Sequence, residues 1–177
     1  MKDKFFLRDV MKTLNVTKTC LEEWLGYGFV RPSIKEADGK GSRNIFSLQD
    51  LVRAALFKEL IESGLSRKEA ANEVNRFFMP NKLDEPIVKM VDEFLNEWEK
   101  NPLAWLYLAY IREAGGGLKM TILTRYEHFI TLAKDLRKAL AKKCLIIDFM
   151  RLTSEVCSKA GVSRSEGKTL LTGRTPG

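Results

Sequence analysis

The stretch from Leu7 to Leu51 most constrains how this chain can fold, and its centre is the segment Val16–Trp24. Apolar residues recur at helical spacing on both sides of Asn15, so the sequence predicts two short helices joined by a tight turn. Thr17 is a typical N-cap for the second helix. A glycine-flanked basic loop follows and leads into residues 43–46, which are typical of a returning strand. This order of elements predicts a winged helix-turn-helix.

The two predicted helices bury different apolar sets. The first takes in Phe5 and Phe6 at its start. On the second, Cys20, Leu21 and Trp24 fall on one face, so the polar residues of this helix face outward. The predicted DNA-binding set combines the cap and outward residues of this helix with polar and basic residues around the loop, and it consists of Thr17, Lys18, Thr19, Glu22, Lys35, Lys40, Arg43 and Asn44.

Two capping boxes follow the loop. Ser47–Asp50 opens a helix whose apolar residues run to Ile61, and Ser66–Glu69 opens another helix that reaches Phe78. Together these elements predict an N-terminal domain over residues 1–80.

Residues 1–80 carry a family resemblance at these positions: Val16-Thr17, Leu21, Trp24, Gly28-Phe29-Val30, Pro32, Gly41 to Ser47, Asp50-Leu51 and Gly64-Leu65-Ser66. In this order the chain resembles the N-terminal DNA-binding domain of the MerR family of bacterial transcription regulators. The resemblance implies a homodimer that sets two such units on a pseudo-palindromic site in double-stranded DNA. It also implies that the second helix enters the major groove and that the wing lies along the backbone.

Two acidic residues depart from the family pattern. Family members often carry an arginine and then a tyrosine at the positions of Glu22 and Glu23. A carboxylate repels phosphate, although a single glutamate can accept a hydrogen bond from cytosine N4. Glu22 is therefore either a base reader or a residue turned away from DNA, and Lys18 and Thr19 are the better contacts.

The predicted wing also departs from the pattern. Asn44 stands where the family often has a second basic residue. Arg43 is therefore expected to provide most of the backbone contact, with help from Lys35 and Lys40.

The family usually dimerises through a long helix that begins just after the position of Phe78. Pro80 and Pro86 interrupt such a helix in this chain. The coiled-coil dimer and activation by promoter untwisting are therefore not carried over. The sequence does not indicate which element joins the two copies of the expected homodimer.

No metal, cofactor or disulfide site is predicted. The chain has three cysteines, Cys20, Cys144 and Cys157, and one histidine, His128. An odd number of widely spaced cysteines without a CxxC pair is not typical of a zinc site or a disulfide framework. No serine or cysteine lies in a nucleophile motif, so we expect a protein that is not an enzyme.

Residues 81–160 predict a second, α+β module. Its elements are an apolar helix over 87–98, a β-hairpin over 106–112 and 118–124, a helix over 126–140, a strand over 144–148 and a helix over 152–160. The whole chain is thus predicted to be mainly α with a small β content. We expect the module to dimerise the protein or to sense a ligand, and residues 161–177 to form a flexible tail.

Composition narrows the class of protein. The 177 residues are 45% apolar, which is enough for a folded core. The formal charge of +7 is consistent with an anionic partner and equally with a basic surface that has none. The sequence shows no signal peptide or membrane span, so we expect a cytoplasmic protein. The leading hypothesis is a sequence-specific regulator that binds double-stranded DNA. The alternatives are a protein-interaction adaptor and a sensor of a small-molecule effector.

Overall fold

A computed structural model of the protein describes residues 4–39, 41–78, 107–112, 117–123, 130, 132–134, 136 and 143–163. The chain divides into two compact units, Met1–Val74 with Leu152–Gly177, and Asn75–Arg151. The described residues form helices and two small antiparallel sheets, which confirms a helical fold with a small β content. The predicted helix over 87–98, the domain boundary at 80–81 and most of the predicted tail lie outside the described residues.

The first sheet joins the start of the chain to the end of the basic loop. Strand β1 (Phe5–Phe6) pairs antiparallel with β2 (Ile45–Phe46), and Phe5 lies opposite Phe46 with both side chains buried. The prediction that Phe5 and Phe6 begin the first helix is therefore wrong. Helix α1 spans Leu7–Leu14, because the Asp9 carboxylate accepts the Phe6 N–H at 2.8 Å and caps the helix there.

The turn and the second helix form as predicted. Asn15 has a left-handed backbone with φ of +52° and ends α1. Helix α2 spans Lys18–Gly26, and the Thr17 hydroxyl accepts the Cys20 N–H at 3.2 Å. Gly28 has a φ of +70°, a conformation that favours glycine, and it turns the chain after α2.

Both predicted capping boxes are confirmed. Ser47 and Asp50 cap helix α3 (Leu48–Glu62), and Ser66 and Glu69 cap helix α4 (Arg67–Phe78). Helix α3 lies at the centre of the first unit, with nine of its residues buried. Trp24 of α2 packs edge-on against Phe57 of α3, with ring centroids 5.1 Å apart.

The Asp50 carboxylate is also the centre of a wider hydrogen-bond network. It is 2% exposed, and its Oδ2 accepts the Ser33 N–H at 2.8 Å, the Ser33 hydroxyl at 2.7 Å and the Ser47 N–H at 2.8 Å. The Ser33 hydroxyl also lies 2.9 Å from the Ser47 Oγ. One buried oxygen therefore joins the segment that follows α2 to the start of α3.

The second unit contains a three-stranded antiparallel sheet in the order β4-β3-β5. Strands β3 (Tyr107–Arg112) and β4 (Leu118–Leu123) form the predicted hairpin, and β5 (Lys143–Asp148) pairs with β3 on its other side. Ala109, Ile111, Leu123 and Leu132 form an apolar cluster on one face. The expected burial of the third strand is only partial, because Ile146 of β5 is 44% exposed.

The last helix, α5, spans Phe149–Ala160 and begins three residues before the predicted position 152. Asp148 accepts the Arg151 N–H at 2.9 Å, so this strand-end carboxylate caps the helix. In the described part of the chain, no helix combines the length and the apolar composition needed to cross a membrane.

Replacing Asp50 with alanine tests the network. Asp50→Ala removes the acceptor of three partly buried hydrogen bonds and the cap of α3, which should lower the free energy of unfolding by about 2–3 kcal/mol. Urea denaturation measures this change. Glu69→Ala is the matched control, since it removes the more exposed capping box of α4 and should cost about 1 kcal/mol. An Asp50→Ala cost no larger than that of the control contradicts the expectation.

Candidate functional site

The exposed face of α2 carries three of the predicted site residues. Lys18 and Glu22 lie one helical turn apart, and the Lys18 Nζ is 3.5 Å from the Glu22 Oε1. Their side chains are 67% and 54% exposed, and Thr19 beside them is also exposed. The structure therefore brings Lys18, Thr19 and Glu22 together at the surface. The positive charge of Lys18 is offset by Glu22, so this face is polar without a strong net charge.

Thr17 begins the same helix. Its hydroxyl oxygen accepts the Cys20 N–H, so its main role is to cap α2. The hydroxyl hydrogen is not used in that bond and can still be donated. Thr17 therefore fixes the start of the exposed face and keeps a donor there.

Glu23 lies on the other flank of α2 and contacts another helix. Its carboxylate forms a salt bridge with the Arg67 guanidinium at the start of α4. This contact joins residues 44 positions apart in the sequence, so local patterns gave no sign of it. The second of the two acidic residues that depart from the family pattern is thus paired within the protein.

This ion pair also affects Cys20, which is half-buried in α2. Burial raises the pKa of the Cys20 thiol, and the Glu23 carboxylate raises it further, whereas Arg67 and Lys58 lower it. The thiol is therefore mostly protonated at neutral pH and a weak nucleophile. Burial also raises the pKa of Cys144 and Cys157.

The basic loop is closed at its base by an antiparallel bridge between Lys35 and Ile45. The Lys35 N–H donates to the Ile45 carbonyl at 3.2 Å, and the Ile45 N–H donates to the Lys35 carbonyl at 2.8 Å. The predicted strand over 43–46 is shorter than expected, since only Ile45–Phe46 is strand. We call residues 36–44 the bridge loop, of which predicted site residue Lys40 lies outside the described residues.

Two side-chain contacts shape the bridge loop. The Asn44 Oδ1 accepts the Ala37 N–H at 2.8 Å, so Asn44 holds the two arms of the loop together. The Ser42 side chain lowers the pKa of the exposed Asp38 carboxyl. The side chains of Lys35 and Arg43 are exposed and available to a partner. Asn44 therefore stabilises the loop, and the described exposed cations here are Arg43 in the loop and Lys35 at its base.

A groove of about 490 Å³ separates the end of α2 from the bridge loop. Leu25, Tyr27, Gly28 and Arg31 line it on the helix side, and Ala37 and Asn44 line it on the loop side. Sequence reasoning missed Tyr27 and Arg31 because the pattern around them indicated only the end of a helix. The available signal was a basic residue, Arg31, between two apolar neighbours, Val30 and Pro32.

This arrangement suits the binding of an extended polar partner. The exposed face of α2, the groove and the loop are adjacent in the order of the chain, and the end of α2 and the loop form the walls of the groove. Within the described residues, no group of three or more histidine, cysteine or acidic side chains is placed to hold a metal ion. The candidate site therefore consists of the described residues of 17–44.

The Glu23–Arg67 pair makes a prediction about Cys20. Glu23→Gln removes a negative charge beside the thiol and should lower its pKa, whereas Arg67→Gln removes a positive charge and should raise it. The rate of alkylation of Cys20 against pH, followed by peptide mass spectrometry, measures both shifts.

Cys144 is the internal control for that experiment, since only burial raises its pKa. Its pH profile should stay the same in both variants. Movement of the Cys20 profile in the same direction in both variants would show that the two charges do not act on the thiol.

A search of protein-family models and of curated proteins finds no match to this chain.

Proposed function

We propose that the chain is a sequence-specific, double-stranded DNA-binding transcription regulator, and that its first unit acts as a winged helix-turn-helix. One observation carries the proposal. Helix α2 is anchored by the buried Leu21 and Trp24 and exposes Lys18 and Thr19, and the next part of the chain forms a closed loop with the exposed Arg43. This is the arrangement in which one helix reads bases while a loop contacts the backbone.

The geometry of the two helices supports this function. The turn between α1 and α2 is tight, because Asn15 adopts a left-handed backbone and the Val16 N–H donates to the Met11 carbonyl at 3.1 Å. The Thr17 cap then sets the first turn of α2. The N-terminal turn of a recognition helix is the part that reaches base edges in the major groove. Lys18 and Thr19 occupy that turn.

The charges also support the proposal. The chain has a formal charge of +7 and a pI of about 9.3, so DNA attracts it at long range. The acidic pair on α2 opposes this attraction less than the sequence suggests, since Glu22 is paired with Lys18 and Glu23 with Arg67. Glu22 stays on the exposed face, where its carboxylate is available to accept from cytosine N4.

The oligomeric state and location follow from the same function. A single α2 covers one half-site, so a homodimer would bind two half-sites about one helical turn of DNA apart. A transcription regulator of this bacterial type acts in the cytoplasm, where the DNA is. The second unit would then serve as dimerisation or effector-sensing module.

Selection from a random pool of DNA duplexes at moderate salt tests the proposal. The protein should enrich a defined motif, and two symmetric half-sites in that motif would show that a dimer binds. Enrichment of no motif would overturn the proposal. Capture of a protein partner through α2 in the absence of DNA binding would favour the adaptor function.

Arg43→Ala tests the role of the bridge loop with the selected duplex. Loss of one phosphate contact should weaken binding to all sequences alike and reduce the slope of log K against log salt by about 0.9. Lys159→Ala is a charge-matched control on α5, where Lys159 lies 3.9 Å from Glu155, and it should leave the slope unchanged. A changed motif in Arg43→Ala would mean that Arg43 reads bases.

A further inference from the structure

The groove between α2 and the bridge loop continues the exposed face of the helix. Lys18, Glu22 and Gly26 follow each other at intervals of four residues, so they form one stripe along α2. Gly26 at the end of this stripe lines the groove. A partner that lies along Lys18 and Glu22 therefore meets the groove at the C-terminal end of the helix.

Arg31 supplies the positive charge of the groove. A Cβ atom on Gly28 would lie 3.0 Å from the Arg31 Nη2 and 3.3 Å from its Nε, so the guanidinium rests against the glycine backbone. The backbone around it is fixed, because Val30 and Pro32 are buried and the Phe29 N–H donates to the Trp24 carbonyl at 2.9 Å. The cation is thus held at the groove by the turn that ends α2.

Tyr27 forms a supported aromatic wall beside it. The Tyr27 side chain is 69% exposed, yet its ring stacks on Phe29 with centroids 5.7 Å apart. Phe29 stacks in turn on the core residue Phe57 at 5.6 Å. This stack places the tyrosine at the surface with little loss of side-chain entropy on binding.

The opposite wall belongs to the bridge loop. Asn44 uses its carbonyl oxygen to accept the Ala37 N–H, and this bond leaves the two donors of its amide group unused. Glu36 also lines the groove and is exposed, so it is a negative charge that an anionic ligand would have to meet.

We propose that this groove binds a phosphate of the DNA backbone, with the Arg31 guanidinium as its cation and the Tyr27 hydroxyl and Asn44 amide as neutral donors. The inference rests on the proposed function. A helix in the major groove and a loop on the neighbouring backbone have one DNA strand between them, and that strand passes over the groove. A guanidinium is suited to phosphate because its donors form a planar fork. Glu36 lowers the affinity of the same site.

Variants of the two charged groove residues, Arg31 and Glu36, test the proposal, because they should change DNA binding in opposite directions. Arg31→Gln should reduce the slope of log K against log salt by about 0.9 and weaken all duplexes equally. Arg31→Lys should recover most of the slope, since it keeps the charge. Glu36→Gln should tighten binding by about two- to five-fold, the effect expected for removing an exposed like charge. Lys159→Gln, on the exposed Lys159–Glu155 pair of α5, is the matched control and should change neither quantity.

The outcomes separate this inference from the proposed function. If the unaltered protein selects no duplex, both fail. If it binds DNA and Arg43→Ala lowers the salt slope, but Arg31→Gln and Glu36→Gln change nothing, only the groove assignment is overturned. A change of preferred sequence in Arg31→Gln would also overturn it, because a phosphate contact carries no base information. Should Arg31→Gln unfold the protein, the salt slope of Arg31→Lys and the affinity of Glu36→Gln decide whether the groove binds phosphate.

Discussion

The buried carboxylate of Asp50 is the interaction on which the first unit depends. A buried charge is costly unless its oxygens accept hydrogen bonds, and the Asp50 Oδ2 accepts three, two from Ser33 and one from Ser47. Ser33 follows α2, whereas Ser47 ends the returning strand and begins α3. The bridge loop leaves and re-enters the fold between these two serines. Its two ends are therefore held at one point, and its position relative to α2 is set by a residue outside the loop.

The aromatic core completes this constraint from the other side. Trp24 and Phe29 both pack against Phe57 of α3, at centroid distances of 5.1 and 5.6 Å. The hydrogen-bond network joins Ser33 to the N-terminal end of α3, and the rings join α2 and the turn after it to the middle of α3. A helix whose backbone is anchored in this way need not reorder on binding, which lowers the entropic cost of recognition.

Local features of the first unit were predictable from the sequence, and long-range ones were not. The caps at Thr17, Ser47 and Ser66 each involve a backbone N–H three residues away, so the residue types alone indicate them. Phe5 pairs with Phe46, and no local pattern distinguishes such a short buried strand from a helical turn. The same limit applies to the candidate site. The bond from Ala37 to Asn44 and the pairing of Glu23 with Arg67 depend on how the chain folds back, so residue types alone did not indicate either contact, and α2 looked more acidic than it is.

In the proposed complex, these pairings give α2 and the segment after it different roles in binding. On α2, Lys18 is offset by Glu22, and Glu23 is taken up by Arg67, so the helix offers hydrogen bonds to bases but little net charge. Among the described residues, the segment between α2 and α3 carries three exposed cations, Arg31, Lys35 and Arg43. Counterion release, and with it most of the salt-dependent affinity, should then come from this segment, while sequence preference comes from the helix. Asp50 holds Ser33 and Ser47 on either side of the bridge loop. In the proposed complex, the salt-dependent affinity of the loop and the sequence preference of α2 would therefore be coupled through one buried carboxylate that contacts no DNA.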